Sequence, residues 1–251
     1  MDFYKMISTN TDKLNKNELD ILNFCMKNAN DIKSIKINDL AENTYTSPAS
    51  IVRFCKKLGF SGFAEFKASF VLNIKNTEET FNNHFNENSP NLFKDINKSI
   101  ELINEDILEE ILCLLHNANR IEFFGEGSSR IVCSEVAKKF RTIGKTAFNY
   151  DDSSMMYIAA ASLTSNDLIF AVSMSGETIQ VLKALNIAKT RGAKIISLTD
   201  LSNNSQSKLA DKSLYVTSTS FVHENYNIVS RTQALIISEY IFFRYLEKYI
   251  Y

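Results

Sequence analysis

The sequence predicts two domains of different class: an all-α domain with a helix-turn-helix at the N-terminus, then an α/β domain whose mainly parallel sheet is flanked by helices. Three observations carry this. Up to Lys75 the apolar residues recur only at helical spacing. Beyond Arg120, five short apolar runs alternate with helical patterns, as in a parallel sheet covered on both faces. Two of those runs end in hydroxyl-rich turns that open helices.

At 251 residues, 45% hydrophobic and 23% charged, the chain is long enough for one large and one small core. A formal net charge of -1 excludes a protein that coats nucleic acid over its whole surface, so any such face must be local. The N-terminus lacks the apolar core of a signal peptide, and no run has the length of a bilayer-spanning helix. A cytoplasmic protein with no membrane partner is expected. Cys25, Cys55, Cys113 and Cys133 lack Cys-x-x-Cys spacing and sit among apolar neighbours. They read as small buried hydrophobes, with no metal, disulfide or cofactor expected.

Along the chain, Leu14, Leu19, Ile21, Leu22, Cys25 and Met26 mark one helix, and Ile37, Leu40 and Ala41 begin a second. The third is sharply bounded. Ser47 is a good N-cap, Pro48 suits the first helical position, Ile51, Phe54, Cys55 and Leu58 follow, and Gly59 ends it. Three short helices with a tight turn between the last two predict a helix-turn-helix within residues 1–75. From Thr44 to Lys75 the bases Arg53, Lys56, Lys57, Lys67 and Lys75 are opposed only by Glu65, a local basic face suited to phosphates. Ser47, Ser50 and Arg53 lie early in the recognition helix and are candidates for base edges; Pro48, Lys56 and Lys57 complete the DNA-binding set.

The run Ser47-Pro48-Ala49-Ser50-Ile51-Val52-Arg53-Phe54-Cys55-Lys56-Lys57-Leu58-Gly59-Phe60, with Leu40-Ala41-Glu42 ahead of it, resembles the N-terminal domain of RpiR-family transcriptional regulators. Tyr45 departs from that pattern at a turn position where the family commonly has Gly. A left-handed conformation there costs a tyrosine roughly 1 kcal/mol or more.

Residues 76–91 are rich in Asn and Glu and contain Pro90, so they read as a linker, with Phe81 and Phe85 as a small apolar anchor and His84 at the surface. Leu92, Ile96, Ile100, Ile103, Ile107, Ile111 and Leu115 then keep helical spacing over one or two helices. Strands are expected near residues 121–124, 147–150, 168–172, 194–198 and 214–216. The first runs into Gly125-Glu126-Gly127-Ser128-Ser129-Arg130 and a helix over 131–143. The third runs into Ser173-Met174-Ser175-Gly176-Glu177-Thr178 and a helix over 179–191. Free N–H groups of a first helical turn, the positive end of the dipole and the Ser and Thr hydroxyls form a cradle for a phosphate.

The two loops resemble those of the sugar isomerase (SIS) domain, over roughly residues 92–251. That resemblance implies a flavodoxin-like fold that binds a phosphorylated sugar, in a dimer with the site close to the subunit interface. By motif position the phosphate-binding hydroxyls are Ser129, Ser173, Ser175 and Thr178, and Gly127, Ser128 and Met174 complete the loops. Glu126 departs from the pattern, because an acid beside a phosphate is unfavourable unless it points away. Beyond the last strand, His223-Glu224 is expected to introduce a helical tail over about 227–249, with Glu224 a further candidate for a ligand hydroxyl. The expected domains are therefore 1–75, a linker at 76–91, and 92–251.

The chain reads as a DNA-binding transcriptional regulator, not an enzyme, whose SIS domain senses a phosphosugar effector and controls sugar-metabolism genes. It would act as a homodimer or homotetramer on a double-stranded DNA operator. The alternative is a phosphosugar isomerase with an accessory helical domain, which needs a general base and acid around the C1–C2 bond. His223 and Glu224 are the only adjacent pair that could serve, and a role at a helix start suits them better. A SIS fold kept only for dimerisation would have damaged loops; these are intact.

Overall fold

The computed structural model describes residues 3–81, 92–224 and 226–251. They form two compact units, one from the chain up to Asn104 with residues 201–203, the other from Glu105 to Asp200 and from Asn204 onward.

The first unit is helical: α1 (Phe3–Asn10), a 3-10 turn (Thr11–Lys13), α2 (Lys16–Lys27), α3 (Ala29–Ile32), α4 (Ile37–Asn43), α5 (Pro48–Lys57), α6 (Phe63–Phe81) and α7 (Leu92–Glu101). The three helices expected are α2, α4 and α5. A capping box opens α2, the Asn15 side chain accepting from the Glu18 N–H at 3.0 Å while Glu18 accepts from the Asn15 N–H at 2.8 Å. Helix α1, absent from the sequence reading, supplies Phe3, whose ring lies 5.1 to 5.8 Å from those of Phe60, Phe66 and Phe70. Contacts at that spacing stabilise beyond their buried area.

Helix α6 continues through residues 76–81, so the segment expected as linker is helical at its start; His84 and Phe85 lie outside the described residues. Helix α7, expected at the head of the second domain, instead belongs to the first unit and packs on α1. Its Lys98 is 5% exposed and donates through Nζ to the Met26 carbonyl, in the last turn of α2, at 3.1 Å. Burial, and then Lys94, push this amine down to about 8 against the opposing pull of Asp95 and Glu101. An unfolded lysine keeps its proton to about pH 10.4, so between about pH 8 and pH 10 the unfolded chain binds the extra proton and Lys98 makes stability rise with pH. The buried thiols of Cys25 and Cys55, pushed up, act in the opposite sense. Urea unfolding of the protein and of Lys98→Met isolates the lysine: relative to the variant, the unaltered protein should gain stability over that interval. A difference that stays flat would show that the amine is solvated in the native state.

The second unit holds a parallel sheet of β1 (Ile121–Gly125), β2 (Ala147–Asn149), β3 (Leu168–Val172), β4 (Lys194–Asp200) and β5 (Lys212–Val216), in the order β2-β1-β3-β4-β5. All five correspond to the apolar runs, and β1 and β3 are buried along their whole length. The helices are α8 (Glu105–Asn117), α9 (Ser129–Thr142), α10 (Ser153–Ala161), α11 (Ile179–Thr190), α12 (Ser205–Leu209) and α13 (Thr232–Tyr249). On one face Met156, Val181 and Leu185 of α10 and α11 join Phe124, Ile169 and Ala171 in a core. On the other, Phe140 of α9 meets Phe123 of β1 and Phe242 and Tyr245 of α13. The order reverses between β1 and β3, whose ends are level, with Gly125 opposite Val172. A crevice for ligand opens at such a switch point.

Two expectations need correction. The segment after β5 forms an antiparallel hairpin, β6 (Ser220–His223) and β7 (Tyr226–Val229), and α13 starts at Thr232, not near 227. His223 and Glu224 therefore end a strand and enter a turn, where Glu224 is left-handed (φ 53°) and exposed. Cys113 is exposed on α8 rather than buried, while Cys25, Cys55 and Cys133 are buried. Among the described residues no helix is long and apolar enough to cross a membrane.

Candidate functional site

The loop after β3 is built around three hydroxyls. Ser173 Oγ lies 2.8 Å from Thr178 Oγ1 and 3.5 Å from Ser175 Oγ. Ser173 also accepts from the Gly176 N–H and Ser175 from the Glu177 N–H, each at 3.2 Å. Thr178 is the N-cap residue of α11, but its side chain accepts no bond from that helix. A hydroxyl that would ordinarily satisfy a first-turn N–H is turned to Ser173 instead, leaving the positive helix end uncapped by protein. Ser175 is exposed, Thr178 half-buried and Ser173 buried. Met174 is different: its side chain is buried, and its carbonyl accepts from the Asp200 N–H at 3.0 Å, so only its backbone remains a candidate for ligand.

Gly176 turns the loop at φ 64°, and a Cβ there would stand 2.2 Å from the Asn204 side chain. Asn204 is itself fixed, donating to Thr199 Oγ1 at 3.0 Å and capping α12 by accepting from the Ser207 N–H at 2.8 Å. Beside it the Gln206 N–H donates to the Gly176 carbonyl at 3.0 Å, and the buried Gln206 amide donates to the Ala171 carbonyl and to Ser197 Oγ. These two residues support the loop from below and were missed in the sequence. The one signal was Asn204 three places before Ser207, an N-cap pattern.

The loop after β1 places Gly127 at φ 54° and leads into α9. Gly127 and Ser128 are exposed and Ser129 is buried. The N–H groups of Ser129, Arg130 and Ile131 donate to the carbonyls of Glu126, Gly127 and Ser128 at 3.1 to 3.2 Å. This loop therefore offers fewer open first-turn donors than expected, and fewer than the loop after β3. Its packing is tight, for a Cβ on Gly125 would lie 2.8 Å from Cys133 Sγ.

The acids of both loops are held by partners. Glu126 ion-pairs with Arg130 and accepts from Ser153 Oγ at 2.5 Å. Glu177 accepts from the Ser205 N–H, at the start of α12, at 2.7 Å. Among the described residues no hydrogen bond or ion pair joins Glu224 to either loop.

In the first unit Ser47 caps α5, its Oγ accepting from the Ser50 N–H at 3.2 Å and lying 2.9 Å from Ser50 Oγ. Arg53 donates to Ser50 Oγ at 3.2 Å, so the exposed Ser47 and Arg53 and the half-buried Ser50 form one row, with Pro48 in the first turn. Lys56 is exposed. Lys57 faces elsewhere, its Nζ lying 2.7 Å from Glu18 Oε2 in the α2 capping box, and Lys67 donates to the Ile35 carbonyl at 2.8 Å. Among the described side chains the basic face is thus narrower than the sequence suggested, with Arg53 and Lys56 left open, and the Lys75 side chain lies outside those described. Tyr45, in the turn between α4 and α5, is left-handed at φ 50°.

A helix-turn-helix unit and a parallel α/β unit with a hydroxyl-lined loop at its switch point, in one chain, are the two parts of a transcriptional regulator with a sugar isomerase domain. Residues 1–77 match the helix-turn-helix domain of the rpiR family and residues 114–238 match the SIS domain. An uncharacterised HTH-type transcriptional regulator of Clostridium perfringens is 31% identical over 242 residues, covering 92% of this chain and 87% of its own length. The HTH-type regulator GlvR of Bacillus subtilis is 26% identical, with 98% and 96% covered. The chain belongs to the rpiR family of helix-turn-helix regulators. Its fold is similar to that of NanR of Vibrio vulnificus complexed with ManNAc-6P, at a TM-score of 0.58 and 25% identity over 98% of this chain and 92% of that one. Phosphoheptose isomerase GmhA of Neisseria gonorrhoeae shares the fold over 62% of this chain and 92% of that chain, at a TM-score of 0.51 and 17% identity.

Proposed function

We propose that this regulator is a cytoplasmic homodimer or homotetramer that binds a double-stranded operator through α5, senses a phosphorylated sugar in the second unit, and controls sugar-metabolism genes. The observation that carries the reading is the group of three hydroxyls, Ser173, Ser175 and Thr178, at the uncapped start of α11, with both neighbouring acids engaged elsewhere. The ligand named for NanR makes amino-sugar phosphates the first to try. A ligand that favours one assembly geometry by ~1 to 3 kcal/mol changes operator affinity roughly 5- to 150-fold. Catalysis is not assigned, since His223 and Glu224 lie on the hairpin and the two sequence relatives named above are regulators, although the second unit shares its fold with an isomerase.

The test is thermal stabilisation and fluorescence anisotropy with hexose, amino-sugar and pentose phosphates. One of them should stabilise the protein and shift its DNA binding. Ser175→Ala should bind that ligand about 10-fold more weakly, equivalent to losing one hydrogen bond to a charged group, and still bind DNA when unliganded. Equal ligand affinity in the variant would remove the cradle from the assignment, and turnover of a phosphosugar abolished by Glu224→Gln would establish the isomerase.

A further inference from the structure

Tyr45 combines two features that are unfavourable in the isolated chain. Its backbone is left-handed at φ 50°, a conformation that L-residues with a large side chain rarely adopt. Its side chain is 98% exposed, and among the described residues its ring and hydroxyl have no partner. The backbone around it is pinned: the Tyr45 N–H donates to the Glu42 carbonyl at 3.1 Å, the Thr46 N–H to the Ala41 carbonyl at 2.9 Å, and Thr44 Oγ1 lies 3.1 Å from Thr46 Oγ1. A glycine would satisfy that turn without strain. Among the described residues of the unit nothing compensates the tyrosine.

Its place in the fold indicates where the compensation lies. Tyr45 stands two residues before Ser47, the N-cap of α5, on the approach to the row Ser47, Ser50 and Arg53. When the start of a recognition helix enters the major groove, the turn before it comes to the sugar-phosphate backbone at the groove edge. Hydroxyl side chains there donate to phosphate oxygens, and an aromatic face can cover a deoxyribose.

We propose that Tyr45 is a DNA contact of this helix-turn-helix, its phenol donating to a backbone phosphate of the duplex beside α5. The proposal rests on the regulator reading above. It makes Tyr45 a positioning contact that fixes the register of α5 on the duplex, at the expense of turn stability.

The experiment compares the full-length protein with Tyr45→Gly and Tyr45→Phe on a labelled duplex that the unaltered protein enriches from a random-sequence pool. Tyr45→Gly should raise the thermal midpoint by about 2 °C as strain is relieved, and weaken DNA binding about 5- to 20-fold. Because no charge is lost, the dependence of affinity on salt should keep its slope. Tyr45→Phe should keep the original midpoint and lose affinity, which locates the effect in the hydroxyl. If Tyr45→Gly is stabilised and binds DNA as tightly as the unaltered protein, the contact does not exist. If the unaltered protein enriches no duplex, the regulator reading fails and the contact falls with it, a result distinct from unchanged affinity in the variants.

Discussion

Gly176→Ala should destabilise the second unit by about 2 to 4 kcal/mol and eliminate sugar-phosphate binding. Three costs combine. The added Cβ would lie 2.2 Å from Asn204, and the left-handed φ of 64° strains any L-residue by about 1 kcal/mol. Asn204 cannot yield cheaply, since moving it takes the N-cap from α12, worth about 1 kcal/mol, and strips Thr199 Oγ1 of its buried donor. The rearranged loop would also part Ser173 from Thr178. Differential scanning calorimetry with and without ligand measures both effects. A second substitution, Asn204→Gly, should harm the native protein yet be tolerated better in the alanine background, giving a coupling energy of about 1 kcal/mol or more. Additive losses would mean that the two side chains do not compete for the same space.

Arg53→Ala should lower affinity for the enriched duplex roughly 10- to 100-fold and reduce the salt slope by about 1, with sugar-phosphate binding unchanged. The informative control is Lys57→Ala. Lys57 belongs to the same sequence run but pairs with Glu18, whose side chain is only 9% exposed, so Lys57→Ala should cost about 1 to 3 kcal/mol of stability but little DNA affinity. Equal losses from the two substitutions would place the DNA face on a different side of α5 from the Ser47, Ser50 and Arg53 row.

How far the sequence could be read depended on where each element buries itself. β1 and β3 are enclosed on both faces, so they appear as unbroken apolar runs, and the turn chemistry after each stands out beside them. The hairpin of β6 and β7 is exposed along most of its length, with Phe221, Tyr226 and Ile228 open to solvent. It has no clean alternation, and most of β7, from Asn227, was read as the start of the helix that follows. Helix α1 escaped notice because its role is non-local, Phe3 being buried by phenylalanines from Phe60 onward. In the loop after β3 the grouping of Ser173, Ser175 and Thr178 was legible, and the residues that hold the loop were not. Asn204 and Gln206 come from a helix of five residues beyond the next strand, and no spacing within the loop points to them. For a related reason a lysine run does not reveal that Lys57 turns back to a carboxylate on α2.

The pairing of Glu126 with Arg130 restricts the order in which this loop can change. On the reading proposed above, losing Arg130 first would leave the Glu126 carboxylate, still bonded to Ser153, without its counter-charge and would weaken the binding of an anionic ligand, whereas losing Glu126 first would free a guanidinium that holds anions more tightly and less selectively. On that same reading, a mutational path between an acidic and a neutral first loop would cross one of two phenotypes, an unresponsive sensor or an indiscriminate one. Selection that tolerates only one of them sets the direction of travel.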